Sequence, residues 1–160
     1  VVFPGGITPG VAVSTSTQIS VDSANSTGFR LSVARDDSDT TLDLSTDPAV
    51  NITDKTAWIE PGATTTPGNA AVYATTGLGF RVMSTGTTGG NYASSWWGTN
   101  DLSANALYAG LPTTENQIAN RSGASTPATT IVVEYRLDVP STQKTGAYTA
   151  GITYTAVVNP

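Results

Sequence analysis

Apolar and polar side chains alternate along several stretches of this chain of 160 residues. Between residues 11 and 21, the odd positions are all Val, Thr or Ile, whereas the even positions carry Ala, Ser or Gln. Since successive side chains of a strand point to opposite faces, this alternation predicts one long strand with a β-branched face. The preceding residues 1–10, VVFPGGITPG, contain Pro and Gly and show no such pattern. We therefore expect an extended leader ahead of the strand.

The same alternation recurs along the rest of the chain, and helical periodicity is scarce. The stretches FRLSV, TTLDL, AAVYATT and GLGFRV are further strand candidates, and GATTTPGN indicates a loop. Two more patterned stretches, TTIVVEYRLDV and AYTAGITYTAVV, fill the last third. Residues 100–126 are the least strand-like part, and we expect a short helix or a loop there.

The spacing of these strands predicts the fold class. Short strands separated by turn residues are typical of all-β folds. We expect a single β-sandwich or jelly roll of roughly eight to ten strands, mostly antiparallel, with an extended N-terminal segment. No linker composition interrupts residues 11–160. The predicted organisation is therefore a leader over residues 1–10 and one β-sandwich domain over residues 11–160.

The composition favours a location outside the cell or on its surface. Charged residues make up only 12% of the chain, with seven Lys and Arg and a net charge of −5. Nucleic acids and anionic membranes bind clustered cations, so we expect neither as a partner. No stretch is long and apolar enough for a membrane span. Chains that are rich in Thr and Ser, poor in Lys and built of strands are typical of secreted and cell-surface proteins.

Most catalytic chemistry is excluded by the residue types present. The chain contains neither His nor Cys, which rules out Ser-His-Asp and Cys-His catalysis and metal sites that need these ligands. Two carboxylates suffice for a glycosidase, but Glu60, Glu115 and Glu134 lie in no suggestive context. We therefore predict that the protein is not an enzyme and that it uses no cofactor, with calcium as the one candidate.

The acidic stretch RDDSDTTLDLSTD is a candidate calcium-binding site. Asp36, Asp37 and Asp39 fall in one predicted turn, and calcium binds several carboxylate oxygens of a flexible loop. The stretch lacks the Gly and the distal Glu of a helix-loop-helix calcium site. The alternative is that these side chains cap a turn between two strands, as Asp and Ser commonly do.

The stretch SSWWGT is a candidate carbohydrate contact. Exposed aromatic rings can stack on sugar rings, and Trp96 and Trp97 are adjacent in the chain. In a strand, however, adjacent side chains point to opposite faces. The alternative is that one of the two lies in the core while the other covers a loop or an interface.

Three asparagines fit the acceptor pattern Asn-x-Ser/Thr for N-linked glycans, namely Asn25, Asn51 and Asn120. Each lies in a predicted turn or loop, where a glycan would be tolerated. Such triplets also arise by chance in a chain that is rich in Ser and Thr.

Several stretches resemble a known class of surface protein. STGFRLSV, SSWWGTN and above all VEYRLDVPSTQKTGAYTAGITYTAVVNP are similar to bacterial secreted β-sandwich surface proteins, most of all those of ultrasmall candidate-phylum bacteria. In the last stretch, a strand that ends in Val-Pro, a short turn, Gly-x-Tyr-Thr and an Ile-Thr-Tyr-Thr-Ala strand resemble the closing hairpin of these surface proteins. The stretch is also similar to the closing strands of pilin-like filament subunits. The resemblance implies a structural role at the cell surface or outside the cell, without enzymatic activity or a cofactor.

With little catalytic chemistry left, the sequence favours a structural subunit of an extracellular, pilus-like filament or of a surface layer. Its partners would be copies of itself. Assembly would use strand addition, in which an extended segment of one copy fills an open sheet edge and an apolar groove of its neighbour. Head-to-tail contacts of this kind give open filaments. The predicted donor residues are Val1, Val2, Phe3, Ile7, Val11 and Val13.

Other interpretations are open at the level of sequence. The strand that begins at Val11 is either the donor or the first strand of the subunit's own sheet. A monomeric adhesin or carbohydrate-binding β-sandwich module, with SSWWGT on its binding face and glycans or a host or cell surface as its partner, is the alternative function. A capsid or tail protein of a virus is a third function, since such proteins use the same folds.

Overall fold

Eleven strands and one short helix make up the regular structure of the chain in the computed structural model, which describes residues 3, 7–61, 70–74, 76–89 and 91–160. The loop predicted at residues 62–69 lies outside the described residues. In chain order, the elements are β1 (Val13–Val21), β2 (Phe29–Arg35), β3 (Thr41–Leu44), β4 (Asp47–Thr53), β5 (Ala71–Val72), β6 (Gly77–Val82), α1 (Ser94–Trp97), β7 (Leu107–Tyr108), β8 (Asn116–Arg121), β9 (Thr129–Asp138), β10 (Tyr148–Thr149) and β11 (Ile152–Val158).

These strands form several antiparallel sheets. The first sheet has the strand order β1-β9-β6, the second β11-β2-β8 and the third β10-β3-β4, and β5 pairs with β7. Every pair of these strands is antiparallel. The all-β, mostly antiparallel fold class predicted from the sequence is therefore confirmed. In the described part of the chain, no helix is long and apolar enough to cross a membrane.

Strand β9 lies at the centre of the hydrophobic core. It presents the apolar face predicted from its alternation, and the side chains of Ile131, Val133 and Tyr135 are fully buried. They belong to one hydrophobic cluster with Leu31 and Val33 of β2, a strand of the second sheet. The first two sheets therefore share a single core. Strand β1 keeps its predicted alternation beside β9, with odd positions half-buried and even positions exposed.

The C-terminal stretch does not form the hairpin that the resemblance implies. Strand β9 pairs with β1 along one edge and with β6 along the other, so no edge remains for the strand that follows it. The chain crosses instead to the other sheets, where β10 pairs with β3 and β11 pairs with β2. The continuous strand predicted here is interrupted at residues 150–151, because its two parts belong to different sheets.

Residues 100–126 contain a strand that the sequence pattern did not predict. Strand β8, NQIANR, is largely polar and does not alternate. Its pairing with β2 skips Ile118, which lies between the partners of Leu31 and Ser32. This bulge lets Ile118 and its neighbour Ala119 both be buried. The described residues thus hold eleven strands, against the roughly eight to ten that we predicted.

The two adjacent tryptophans lie on the one-turn helix α1 and not on a strand. Hydrogen bonds close the turn, from the Trp97 amide to the Ala93 carbonyl and from the Gly98 amide to the Ser94 carbonyl, both at 3.0 Å. Gly98 then ends the helix with a φ of +94°, a conformation that favours glycine. Because successive helical side chains are about 100° apart, Trp97 points into the core while Trp96 stays half-buried.

Trp97 anchors this region to the core. Its ring centroid lies 4.4 Å from that of Trp58 and 5.4 Å from that of Phe80. Its indole Nε1 donates to the carbonyl of Ile118 at 3.1 Å, which ties α1 to the bulge of β8.

Replacing Trp97 by Ala should lower the free energy of unfolding by about 3–5 kcal/mol, because it removes a fully buried ring and leaves a carbonyl of β8 unpaired. The matched control is Trp96→Ala, which should lower it by about 1 kcal/mol, since that half-buried ring contacts Trp58 in a tilted arrangement. Urea unfolding followed by circular dichroism measures both values. Equal losses for the two variants would contradict this assignment of the core tryptophan.

Candidate functional site

An open groove lies between the sheets. Its volume is about 680 Å³, which falls in the range of ligand pockets in proteins. Strands β1 and β11, which end the first and second sheets, both contribute to its wall. The lining, mostly apolar or aromatic, consists of Phe3, Ile7, Thr17, Arg35, Leu42, Ile52, Leu78, Tyr135, Leu137, Gly146, Ala147, Tyr148, Thr149, Ala150, Ile152 and Tyr154.

The described part of the leader lies at this groove. Phe3 and Ile7 are half-buried, line the groove and pack against the hydrophobic core of their own chain. A turn then connects the leader to β1, with the Val11 amide donating to the Thr8 carbonyl at 3.1 Å. Gly10 occupies this turn with a φ of +77°. In a single chain, the described part of the leader thus lies against the groove of its own chain.

The other predicted donor residues divide into two groups. Val1 and Val2 lie outside the described residues. Val11 precedes β1 and is 55% exposed, whereas Val13 lies within β1, opposite Leu137 of β9. The strand after the leader therefore belongs to the subunit's own sheet, which corrects the assignment of Val13 to the donor segment.

Strands β1 and β11 each have a free edge. Among the described residues, the backbone of β1 is hydrogen-bonded only to β9, and the backbone of β11 only to β2. Neither strand contains a charged residue, a proline or a bulge, which are the usual protections of a sheet edge. Val157 and Val158 of β11 are also 39% and 54% exposed. Such edges are templates for pairing with another chain.

Other edges in the described residues are protected. Two indole groups cap β8, since Trp58 Nε1 donates to the Gln117 carbonyl at 2.8 Å and Trp97 Nε1 donates to the neighbouring carbonyl. Strand β4 begins with Asp-Pro and has a bulge in its register with β3. Strand β10 is only two residues long. Strand β6, which also ends the first sheet, exchanges backbone hydrogen bonds with Ala109 through Phe80. Among the strands that end the three-stranded sheets in the described residues, the unprotected ones are therefore β1 and β11, which border the groove.

A buried ion pair reaches the groove from β2. The side chains of Arg35 and Asp54 are each 1% exposed. The Asp54 carboxylate accepts from Arg35 Nε at 3.1 Å and from Nη2 at 2.6 and 2.7 Å. The remaining nitrogen, Nη1, is buried and has no hydrogen-bond partner among the described residues. Burial raises the pKa of Asp54 to about 6 although Arg35 opposes the shift, so the carboxylate is mostly ionised at neutral pH.

Two tyrosines complete this polar cluster, which consists of Arg35, Asp54, Tyr135 and Tyr154. The hydroxyls of Tyr135 on β9 and Tyr154 on β11 contact each other and so link the first and second sheets. Burial raises the pKa of Tyr135 to about 12 and raises the pKa of Tyr154 as well. Both hydroxyls are therefore neutral under physiological conditions, and they place polar atoms in a largely apolar groove.

The acidic turn does not gather into a metal site. In the part of the chain that the structure describes, no group of three or more acidic side chains could hold a metal ion. Asp37 instead accepts from the amide of Asp39 at 2.9 Å, and the Asp36 amide donates to the Gly151 carbonyl at 3.5 Å. These contacts match the turn-capping alternative, and the geometry gives the calcium hypothesis no support.

Of the two tryptophans predicted to contact carbohydrate, Trp97 is inaccessible. Trp97 is fully buried and cannot stack on a sugar, so its assignment as a carbohydrate-binding residue is wrong. Trp96 is half-buried, and its ring lies 5.6 Å from Trp58 in the same aromatic cluster. The core alternative is therefore the correct one for Trp97.

The three glycosylation sequons lie in different settings. Asn25 precedes a turn, as predicted, but its side chain is half-buried and accepts from the amide and hydroxyl of Thr27 at 2.9 and 2.7 Å. Asn51 and Asn120 are exposed, yet they lie in strands β4 and β8 and not in loops. The loop assignment of these two asparagines is therefore wrong, whereas their exposure leaves the side chains accessible.

The polar cluster was not identified from the sequence, although part of it left a signal. Arg35 continues the alternation of Phe29, Leu31 and Val33, so it occupies an inward position of β2. A charged residue on an apolar face indicates a buried partner. Asp54 shows no such signal, because it follows β4 and meets Arg35 only in the folded chain.

Comparison with known proteins gave no match to any family model, curated protein or solved structure. The functional inference therefore rests on the groove, its edges and the polar cluster.

Removing Asp54 alone should destabilise the protein strongly. Asp54→Ala leaves Arg35 buried without its counterion, and we expect a loss of about 3–5 kcal/mol in the free energy of unfolding. The double replacement Arg35→Met with Asp54→Leu removes both charges and should recover most of this loss, because well-packed apolar side chains often substitute for a buried pair. Urea unfolding of the unaltered chain, Asp54→Ala and the double variant measures these free energies. A double variant as unstable as Asp54→Ala would contradict this account of the pair.

Proposed function

We propose that the protein is a structural subunit of an extracellular filament or surface layer that assembles by strand addition. In this assembly the leader of one copy is the donor, and the groove of the next copy is the acceptor. The observation that carries the proposal is the position of the apolar groove between two unprotected sheet edges.

The free edges supply the affinity that strand addition needs. An added strand pairs its backbone with the unpaired amides and carbonyls of β1 or β11. Natural monomers usually protect long edges because an open edge invites association with other chains. Here the protections are found on β4 and β8 and not on β1 and β11. This selective lack of protection supports a subunit contact at the groove.

The groove supplies the pockets that select the donor. Phe3 and Ile7 are four positions apart, so in an extended segment they lie on the same face at about 13 Å from each other. Both side chains already contact the groove within one chain, and they fit its apolar lining. The same two side chains of a neighbouring copy therefore have matching chemistry.

In the assembly, the leader of one copy would leave its own groove and bind the groove of a neighbouring copy. Phe3 and Ile7 are only half-buried in their own groove, which keeps an open volume of about 680 Å³. Opening the turn at residues 8–11 would release the leader toward a neighbour, as in domain swapping. Each copy then gives one leader and receives another. Because this contact is head-to-tail, it extends into an open filament.

Replacing both anchors, Phe3→Ser with Ile7→Ser, should weaken assembly. Because both side chains are already half-buried in the groove of their own chain, only the burial that they gain in the neighbour's groove favours assembly. If that gain is half of about 1.5 kcal/mol per anchor, the concentration needed for assembly should rise by about tenfold. Sedimentation velocity over a dilution series, with negative-stain electron microscopy of the same samples, measures the effect.

The control is Leu102→Ser, which removes an apolar side chain that is 67% exposed and lies outside the groove lining. This variant should assemble like the unaltered chain. The proposal fails if the unaltered chain stays monomeric throughout the series. Assembly of the double-serine variant at unchanged concentration would exclude the leader as the donor.

A further inference from the structure

Arg35 lines the groove and has one buried hydrogen-bond donor, Nη1, that has no partner among the described residues. Arg35 is the only charged residue of the groove lining among the described residues. Asp54 engages its Nε and Nη2, so that Nη1 is the guanidinium nitrogen without a partner in the part of the chain that the structure describes. A buried N–H without an acceptor is destabilising, and a ligand that brings an acceptor recovers this free energy. Arg81 Nε also lacks a partner within the described ranges, but Arg81 is not part of the groove lining.

The charge of the site selects the kind of acceptor. Arg35 and Asp54 already balance each other, and their side chains are 1% exposed. A carboxylate brought into the groove would be desolvated beside the carboxylate of Asp54 and would gain no free counterion. A neutral acceptor, such as a main-chain carbonyl, escapes this repulsion and still accepts from the guanidinium. The site therefore suits a peptide segment with apolar side chains and not a fatty acid.

The leader has a backbone suited to this contact. Gly5 and Gly6 lie between the anchors Phe3 and Ile7 in the sequence. Glycine has no Cβ, so it permits close approach between its backbone and another group. A donor strand that pairs with a sheet on one side also leaves alternate carbonyls unpaired on its other side.

We infer that Arg35 Nη1 donates a hydrogen bond to a main-chain carbonyl of Gly5 or Gly6 of a second copy whose leader lies in the groove. This inference rests on the proposed function and adds the residue that selects the donor's backbone. It makes Arg35 the polar recognition element of the acceptor groove, beside the apolar contacts of Phe3 and Ile7.

A peptide-binding cycle tests this contact. The receptor is the full chain with Phe3→Ser and Ile7→Ser, so that its own leader competes weakly for the groove. The probe is a fluorescent peptide, VVFPGGITPG, prepared with ordinary amides or with a thioamide at Gly5 or at Gly6, since sulfur is a weaker acceptor than oxygen. Fluorescence anisotropy gives each Kd. Each peptide is also bound to the same receptor carrying Arg35→Met with Asp54→Leu, which lacks the donor.

We expect a thioamide at one of the two glycines to weaken binding about tenfold when Arg35 is present and to have little effect when it is absent. Steric effects of sulfur act equally on both receptors and cancel in the cycle. Arg35→Lys is a second receptor, which keeps the positive charge but loses the forked guanidinium, and it serves if the double replacement does not fold. Arg30→Lys, on the exposed face of β2, is the matched control and should bind like the parent receptor.

The outcomes separate the two proposals. A Kd that responds to the thioamide only when Arg35 is present supports the recognition role. If the peptides bind and the thioamide changes the Kd by the same factor on every receptor, the role of Arg35 is overturned. The strand-addition proposal then remains intact. No binding of the ordinary peptide to the parent receptor overturns both.

Discussion

A strand has two edges, and β9 uses both of them. Because β1 and β6 occupy these edges, the C-terminal strand β11 crosses to the opposite sheet and pairs with β2. Strands β1 and β11 thus each end a sheet, and both border the groove. A hairpin between β9 and β11 would have paired one of these edges. The connectivity of the last third of the chain therefore determines whether the groove is bordered by two free sheet edges.

The few charged residues of the chain are used inside the fold as well as outside it. Arg81 is 0% exposed, and its Nη1 lies 2.6 Å from Asp101 and 3.7 Å from Glu134. It also donates to the Trp97 carbonyl, which helps to fix α1. Arg35 is paired just as closely with Asp54, but it borders the groove. Of these two buried arginines, Arg81 connects α1 to the core, whereas Arg35 lines the groove.

The alternation of apolar and polar residues predicted those strands in which apolar residues occupy every second position. It predicted β1, β2, β6 and β9 because alternate apolar side chains of each strand pack in or against a shared core, although β6 is buried at every position. It failed for β8, whose bulge at Ile118 breaks the alternation, and for Trp96 and Trp97, where a single helical turn replaces the strand. Alternation also does not predict which strands pair, since the edge that β11 joins depends on which edges are already paired with other strands. The groove and the meeting of Arg35 with Asp54 arise only from that long-range pairing.

The exchange of leaders between copies is tested most directly by crosslinking between two variants. The chain has no cysteine, so Thr8→Cys in the leader and Thr17→Cys in the groove provide unique positions. Each variant is purified separately, the two are mixed at concentrations that give assembly, and a short bismaleimide is added. The account predicts a crosslinked heterodimer in the mixture that Phe3→Ser with Ile7→Ser in the Thr8→Cys chain suppresses. It is contradicted if the two positions crosslink only within one chain that carries both cysteines, and never between chains.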